Sequence, residues 1–154
     1  MEYVGGGRSA CIFCGLDDRA GDVARGILLR GQHCFVLLNR YPYAAGHLMV
    51  APYDHIGRIQ HLPGAAAQEL TLRLQQCAAI LEDAYRCEGY NVGANIGTAA
   101  GAGFADHLHF HLVPRWTGDV NFMTSIGELR VIPAHLERTY AELAPRFAAL
   151  EGAA

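Results

Sequence analysis

The clearest pattern along the chain is a strict alternation of imidazole and apolar side chains from residue 107 onward. A β-strand directs successive side chains to opposite faces of its sheet, so residues two apart share a face. The alternation therefore predicts a strand over residues 107–115 with three histidines on one face and apolar residues on the other. The histidines are His107, His109 and His111, and the apolar residues are Leu108, Phe110 and Leu112.

The other segments predict a sheet gathered around one long helix. Apolar runs bounded by turn residues predict four further strands, at Gly26–Arg30, His33–Asn39, His47–Ala51 and Tyr90–Asn95. Leucines at heptad-like spacing predict a helix over Gly64–Arg86, and a second helix is predicted over Pro133–Leu150. These elements predict an α+β fold with a mainly antiparallel sheet, in a single domain over 1–154 with a flexible lead-in at 1–10.

Composition narrows the class of protein. The 154 residues are 51% hydrophobic with a net charge of −3, which argues for a globular chain and against a nucleic-acid partner that needs a basic face. No apolar run reaches the roughly 20 residues of a membrane span, and the N-terminus lacks the features of a secretion signal. Five cysteines, an odd number, favour a reducing compartment, so we expect a cytoplasmic protein without a membrane partner.

Two absences limit the covalent chemistry. The chain has no lysine, which excludes a P-loop lysine and any lysine-bound intermediate. Its two serines, Ser9 and Ser125, lie outside any G-x-S-x-G motif. A covalent intermediate would therefore form on histidine, cysteine or a carboxylate.

Three imidazoles on one strand face have three readings: a metal site, hydrogen-bonded core residues, or a catalytic group. Near neutral pH an imidazole can act as nucleophile, base or proton donor. Attack on phosphorus gives a phosphoramidate, from which imidazole leaves readily, so histidine suits a reversible carrier of a nucleotidyl group. The preceding glycine-rich loop, Gly97–Gly103, fits this use because its backbone N–H groups can approach phosphate oxygens.

The strand resembles the His-φ-His-φ-His-φ-φ signature (φ apolar) of the histidine triad superfamily of nucleotide hydrolases and transferases. The likeness runs from Cys11 to about Tyr140 and includes Leu38–Val50, which is similar to the family's nucleoside-binding segment. Val113–Phe122 resembles the fragile-histidine-triad and bacterial diadenosine tetraphosphate phosphorylase branch most. The resemblance implies a HIT-like fold and a homodimer.

It also implies roles for four histidines. His109 would be the nucleophile that takes the nucleoside monophosphate, and His111 would hydrogen-bond the phosphate and pass a proton to the leaving group. His47 would approach the phosphate from its own strand, and His107 completes the catalytic set.

Four further residues are implied to bind substrate. Asn39 would lie at the ribose, Leu38 at the base and Asn95 near the phosphates. Close relatives have Gly-Gln-Ser/Thr before the triad, but this chain has no such side chains there. Phosphate contacts would then come from backbone amides of the loop that contains Gly103.

Cys11 and Cys14 form a C-x-x-C pair that could be a zinc site, a redox pair or a coincidence. A redox dithiol normally opens a helix after a strand, and that context is missing. The resemblance implies that His55 and His107 complete a structural zinc site with four ligands, with His61 as a competing third ligand.

Together these features predict an enzyme that cleaves dinucleoside polyphosphates, diadenosine tetraphosphate or triphosphate, through an AMP–His109 intermediate, with a slight preference for phosphorolysis. Two alternatives remain at this point. One is a nucleoside phosphoramidase of the same family, and the other is a non-catalytic nucleotide-binding protein of this fold.

Overall fold

The computed structural model describes residues 11–16, 18–119 and 136–151. Its centre is a five-stranded antiparallel sheet in the order β1-β2-β3-β5-β4. The strands are β1 (Ile27–Arg30), β2 (Cys34–Leu38), β3 (Leu48–Pro52), β4 (Gly89–Gly93) and β5 (Phe110–Arg115). The helices are α1 (Asp22–Arg25), α2 (Gly64–Tyr85) and α3 (Leu136–Glu151). The expected α+β class with an antiparallel sheet is confirmed.

The sheet has apolar residues on both faces. Every residue of β2 and β3 is buried, and the two strands pair in register from Leu38 opposite Leu48 to Cys34 opposite Pro52. One face packs on α2 and α3 in a core that includes Val36, Val50, Leu81, Leu112 and Phe147. The other face carries a smaller cluster, which we call the histidine-side cluster: Phe13, Leu16, Ile27, Phe35, Leu37, Met49 and Ala51.

Helix α2 holds the loop that leads into β3 in place. Gly46 has a left-handed backbone (φ +78°), and a Cβ atom on it would lie 2.8 Å from the Tyr85 ring and 3.0 Å from Leu81. Only glycine fits this conformation at so close an approach. The loop before His47 is therefore fixed against the helix.

The histidine strand is shorter than predicted. β5 begins at Phe110, so His107 and His109 precede the sheet ladder. The cause is tertiary: the N–H of Leu108 donates to the carbonyl of Ile56, and the N–H of His107 donates to Phe104 within a turn. Because the backbone of residues 107 and 108 forms these hydrogen bonds, the segment pairs with β3 only from Phe110 onward.

Other boundaries differ by a few residues. β4 ends at Gly93 rather than at Asn95, and α2 ends at Tyr85, where Arg86 adopts a left-handed conformation and its N–H caps the helix on Glu82. The lead-in at 1–10 and the predicted start of the last helix at Pro133 lie outside the described residues. Among the described helices, none combines the length and hydropathy that crossing a membrane would need.

Candidate functional site

The proposed nucleophile is held by its own neighbour. His109 Nδ1 lies 2.7 Å from the backbone carbonyl of His107, an acceptor, so this nitrogen carries the proton. The lone pair is then on Nε2. The Phe13 ring stacks on this imidazole at a centroid distance of 4.7 Å and an interplanar angle of 26°. These two contacts fix both the tautomer and the ring plane of His109.

A second chain of hydrogen bonds sets the proton on His111. The N–H of Tyr43 donates to His47 Nδ1 at 3.1 Å, which makes that nitrogen an acceptor. The proton of His47 is therefore on Nε2, which donates to His111 Nδ1 at 3.0 Å. Because Nδ1 of the neutral His111 ring accepts this bond, the single ring proton of His111 is on Nε2. His111 thus carries a free N–H, and its ring centroid lies 5.0 Å from that of His109.

Burial keeps these imidazoles uncharged at neutral pH. It lowers the pKa of His47 to about 3 and that of His111 to about 4, with electrostatic repulsion from a neighbouring histidine acting in the same direction. Burial also lowers the pKa of His109, against the opposing effect of its hydrogen bond to His107. Neutral rings are what the hydrogen-bond chain requires, since each nitrogen that accepts must lack a proton.

Asn39 lies beside the hydrogen bonds that join Tyr43, His47 and His111. Its Oδ1 accepts the N–H of Tyr41 at 2.9 Å, and its Nδ2 lies 3.4 Å from both ring nitrogens of His47. Asn95 follows β4 and is exposed, and Gly103 lies in the turn that leads to His107. In the described part of the chain, neither residue forms a hydrogen bond with the histidines.

The expectation for Leu38 needs correction. Its side chain belongs to the core on the helix side of the sheet, opposite the histidines. Because side chains alternate along β2, it is Leu37 that faces the histidine-side cluster. Leu37, rather than Leu38, therefore lies on the same side of the sheet as the histidines.

The two cysteines meet two histidines. Cys14 Sγ lies 3.2 Å from His55 Nδ1 and 3.5 Å from His107 Nδ1, and Cys11 Sγ lies 3.4 Å from the same His107 nitrogen. The four ligand atoms lie within 4.8 Å of one another, and no other such group occurs in the described segments. His61 is exposed in a short 3-10 helix and is not part of the group.

His107 links the group of two cysteines and two histidines to His109. Its Nε2 donates to the carbonyl of Pro52 at 2.8 Å, which leaves Nδ1 with the lone pair that points at the cysteines. Its backbone carbonyl accepts the proton of His109 Nδ1. Both ring nitrogens of His107 therefore have partners other than His109 and His111, and its hydrogen bond to His109 is made by the backbone carbonyl.

Two aromatic residues were not expected in the site. Phe13 lies between the cysteines and stacks on His109, and Tyr43 lies 4.8 Å from the His47 ring. Both fall within stretches that the sequence singled out. Their ring contacts depend on how loops fold over the sheet, which residue spacing does not reveal.

Comparison with known proteins gives the same family as the site. The model of the HIT domain matches residues 21–118, more than half of the chain. The AP-4-A phosphorylase of Mycobacterium tuberculosis (strain H37Rv) is 43% identical over 122 residues, which cover 79% of this chain and 63% of that protein. The adenosine 5'-monophosphoramidase of Saccharomyces cerevisiae is 29% identical over 107 residues, 70% of this chain and 63% of that protein.

The chain thus spans less than two thirds of the length of these two relatives. A solved structure, a zinc-bound histidine triad family protein from Mycobacterium smegmatis, matches with a TM-score of 0.66 at 24% identity over 83% of this chain and 87% of that one. This match confirms the HIT-like fold. With its triad, its fold and a family model that spans all five strands of the sheet, the chain belongs to the histidine triad (HIT) family.

Proposed function

We propose that the protein cleaves dinucleoside polyphosphates by transferring a nucleoside monophosphate to His109. The observation that carries the proposal is the hydrogen bond that His109 Nδ1 donates to the His107 carbonyl. Because the ring proton is on Nδ1, Nε2 is unprotonated and can act as the nucleophile. His111, with its proton on Nε2, supplies the hydrogen-bond donor that such a reaction needs. The AP-4-A phosphorylase relative supports this substrate class.

In the first step, the Nε2 lone pair of His109 attacks the α-phosphorus, and the bond from this phosphorus to the bridging oxygen breaks. The departing nucleoside polyphosphate takes the electron pair of that bond, and the N–H of His111 donates to it. In the second step, an oxygen of inorganic phosphate or water attacks the same phosphorus, and the P–N bond breaks to restore the imidazole. The protein's part is positioning and charge stabilisation.

Inorganic phosphate decides which products form. We expect diadenosine tetraphosphate with phosphate to give ADP and ATP, which is phosphorolysis. Hydrolysis would instead give AMP and ATP whether or not phosphate is present. Separation of the nucleotides by anion-exchange chromatography measures both outcomes, and no cleavage under either condition would overturn the proposal.

A phosphoramidase activity is the second candidate, because the yeast relative carries that name. The same geometry would serve, with an amine as leaving group in place of a polyphosphate. Adenosine 5'-phosphoramidate in the same assay distinguishes the two. A kcat/KM for this compound above that for diadenosine tetraphosphate would favour the second candidate.

We further propose a structural zinc ion at Cys11, Cys14, His55 and His107. The donor set fits, since two thiolates and two imidazoles make up a closed tetrahedral zinc site. The bond from His107 Nε2 to Pro52 also fits, because metal-binding histidines donate their second ring N–H to such an acceptor. A closed site has no position for a reactive water, so the zinc would be structural. It would hold the segment around Phe13 beside the histidines.

We also propose a homodimer formed through β4. Among the residues that the structure describes, this strand pairs only with β5, and four of its five residues are exposed, including Tyr90 at 43% and Val92 at 47%. An open, partly apolar edge strand is a template for pairing with a second strand.

A charge on that edge should prevent the pairing. We expect wild-type protein to have twice the 16.7 kDa chain mass in light scattering and Val92→Lys to have the single mass. Val23→Lys is the matched control, since Val23 is 69% exposed in α1, which packs on β1 at the other edge of the sheet. A Val92→Lys protein that keeps the double mass would show that β4 is not the interface.

A further inference from the structure

Four rings form a row that leads from the core to solvent. Phe13 stacks on His109 at 4.7 Å, His109 meets His111 at 5.0 Å, and His111 meets Tyr43 at 6.2 Å between centroids. Exposure rises along this row from 1% at Phe13 and 6% at His109 to 63% at Tyr43. A phosphorus atom at His109 therefore has the buried end of the row on one side and Tyr43 at the open end.

The position of Tyr43 is fixed by its backbone. Its N–H donates to His47 Nδ1, and the His47 N–H returns to the carbonyl of Ala44 at 3.2 Å. Gly46 holds the same loop against α2, where a larger residue would not fit. A large aromatic ring is thus held in a defined place with most of its surface in water. Such a ring loses little conformational freedom when a flat partner stacks on it.

We propose that Tyr43 is the stacking platform for the second nucleobase of the substrate, the one that departs with the polyphosphate. The inference rests on the proposed function, and it assigns the leaving half of a dinucleoside polyphosphate to the open end of the ring row. His111 donates to the leaving oxygen, so the departing chain begins at His111, and Tyr43 is the next ring along the row. Any base has a π-face, so this contact adds affinity without strong base selectivity.

A structural role for Tyr43 would affect every substrate alike, whereas a base platform affects only substrates with a second base. The test therefore compares diadenosine tetraphosphate with adenosine 5'-tetraphosphate, which has the same phosphate chain and no second nucleoside. For Tyr43→Leu we expect kcat/KM to fall about tenfold with the dinucleotide. With the mononucleotide we expect kcat/KM to stay within about twofold of wild type, a margin small beside the stacking contribution.

Two variants serve as controls. Tyr43→Phe keeps the ring and should retain wild-type selectivity between the two compounds. Tyr41→Leu makes the same change in the same loop, at a residue that is 72% exposed and for which no ring contact with a histidine is recorded in the described segments, and it should also leave the selectivity unchanged.

The outcomes separate the two proposals. If Tyr43→Leu loses activity equally with both compounds, or keeps full activity with the dinucleotide, the platform is wrong while the proposed cleavage stands. If wild-type protein cleaves neither compound, the proposed function itself has failed. A fall confined to the dinucleotide, and absent in Tyr41→Leu, supports the platform.

Discussion

Replacing His109 with asparagine is expected to abolish turnover of diadenosine tetraphosphate, with kcat reduced by about a thousandfold or more, as for other enzymes that lose their nucleophile. Asparagine still offers an N–H to the His107 carbonyl, which accepts from His109 Nδ1 at 2.7 Å in the wild type. It has no nitrogen lone pair for attack on phosphorus. The substitution therefore removes the nucleophile and keeps a donor for the buried carbonyl.

Two measurements distinguish loss of the nucleophile from loss of the fold. Substrate affinity, measured by calorimetry, should stay within about threefold of wild type, since His109 contributes chemistry rather than most of the binding. Substrate labelled at the α-phosphorus should leave an acid-labile label on wild-type protein in the absence of phosphate, and none on the variant. His61→Asn, at an exposed histidine outside the site, is the control and should retain both turnover and label.

Survival of turnover in His109→Asn would show that His109 is not the nucleophile. The same comparison also tests the alternative of a non-catalytic, nucleotide-binding member of the family. That alternative would be supported if wild-type protein and His109→Asn bound adenine nucleotides equally well and neither protein turned over the substrate.

The alternation of histidine and apolar residues predicted the two-sided arrangement because it depends only on the geometry of an extended chain. His109 and His111 are in ring contact, whereas Leu112 lies in the core beneath the helices. The strand boundary could not be predicted in the same way. Whether the backbone near residue 108 joins β3 or donates to Ile56 depends on a loop from elsewhere in the chain.

The side of the sheet on which Leu38 lies could not be predicted from the sequence either. Leu37 and Leu38 are identical side chains in an apolar run that is buried throughout, so the sequence contains no alternation to fix the phase. The phase comes from the partner strand, where Leu48 pairs with Leu38 and both pack on the helices. A strand buried on both faces reads as continuously apolar, and only pairing decides which residue faces the site.

The grouping of Cys11, Cys14, His55 and His107 came from the resemblance, and the structure places all four within reach of one ion. What the resemblance did not indicate is how closely this group is joined to the nucleophile. The link has two parts: the carbonyl of His107 accepts from His109, and Phe13, between the cysteines, stacks on the same ring. We therefore expect a change in this group of four residues to alter the position of the His109 ring.

Replacing Cys14 with serine is expected to remove zinc and to weaken both the fold and the activity. Cys14 Sγ contacts both histidines of the cluster, and a serine hydroxyl is a poor zinc ligand. We expect metal analysis to give about one zinc per wild-type chain, as a four-ligand site requires, and well under half of that in Cys14→Ser. Cys87→Ser is the control, at a half-buried cysteine outside the cluster, and should retain the metal.

Stability and activity should change together in Cys14→Ser, because the cluster holds the segment that orients the nucleophile. An ion present at about a thousand times its Kd stabilises the folded state by about 4 kcal/mol, which for a chain of this size corresponds to a fall in Tm of roughly 10 °C on its loss. We expect kcat to fall at least about tenfold, since small displacements of an attacking group cost that much or more. A variant that loses the metal and keeps both Tm and kcat would show that His109 is held by its hydrogen bond to His107 and by Phe13 without help from the ion.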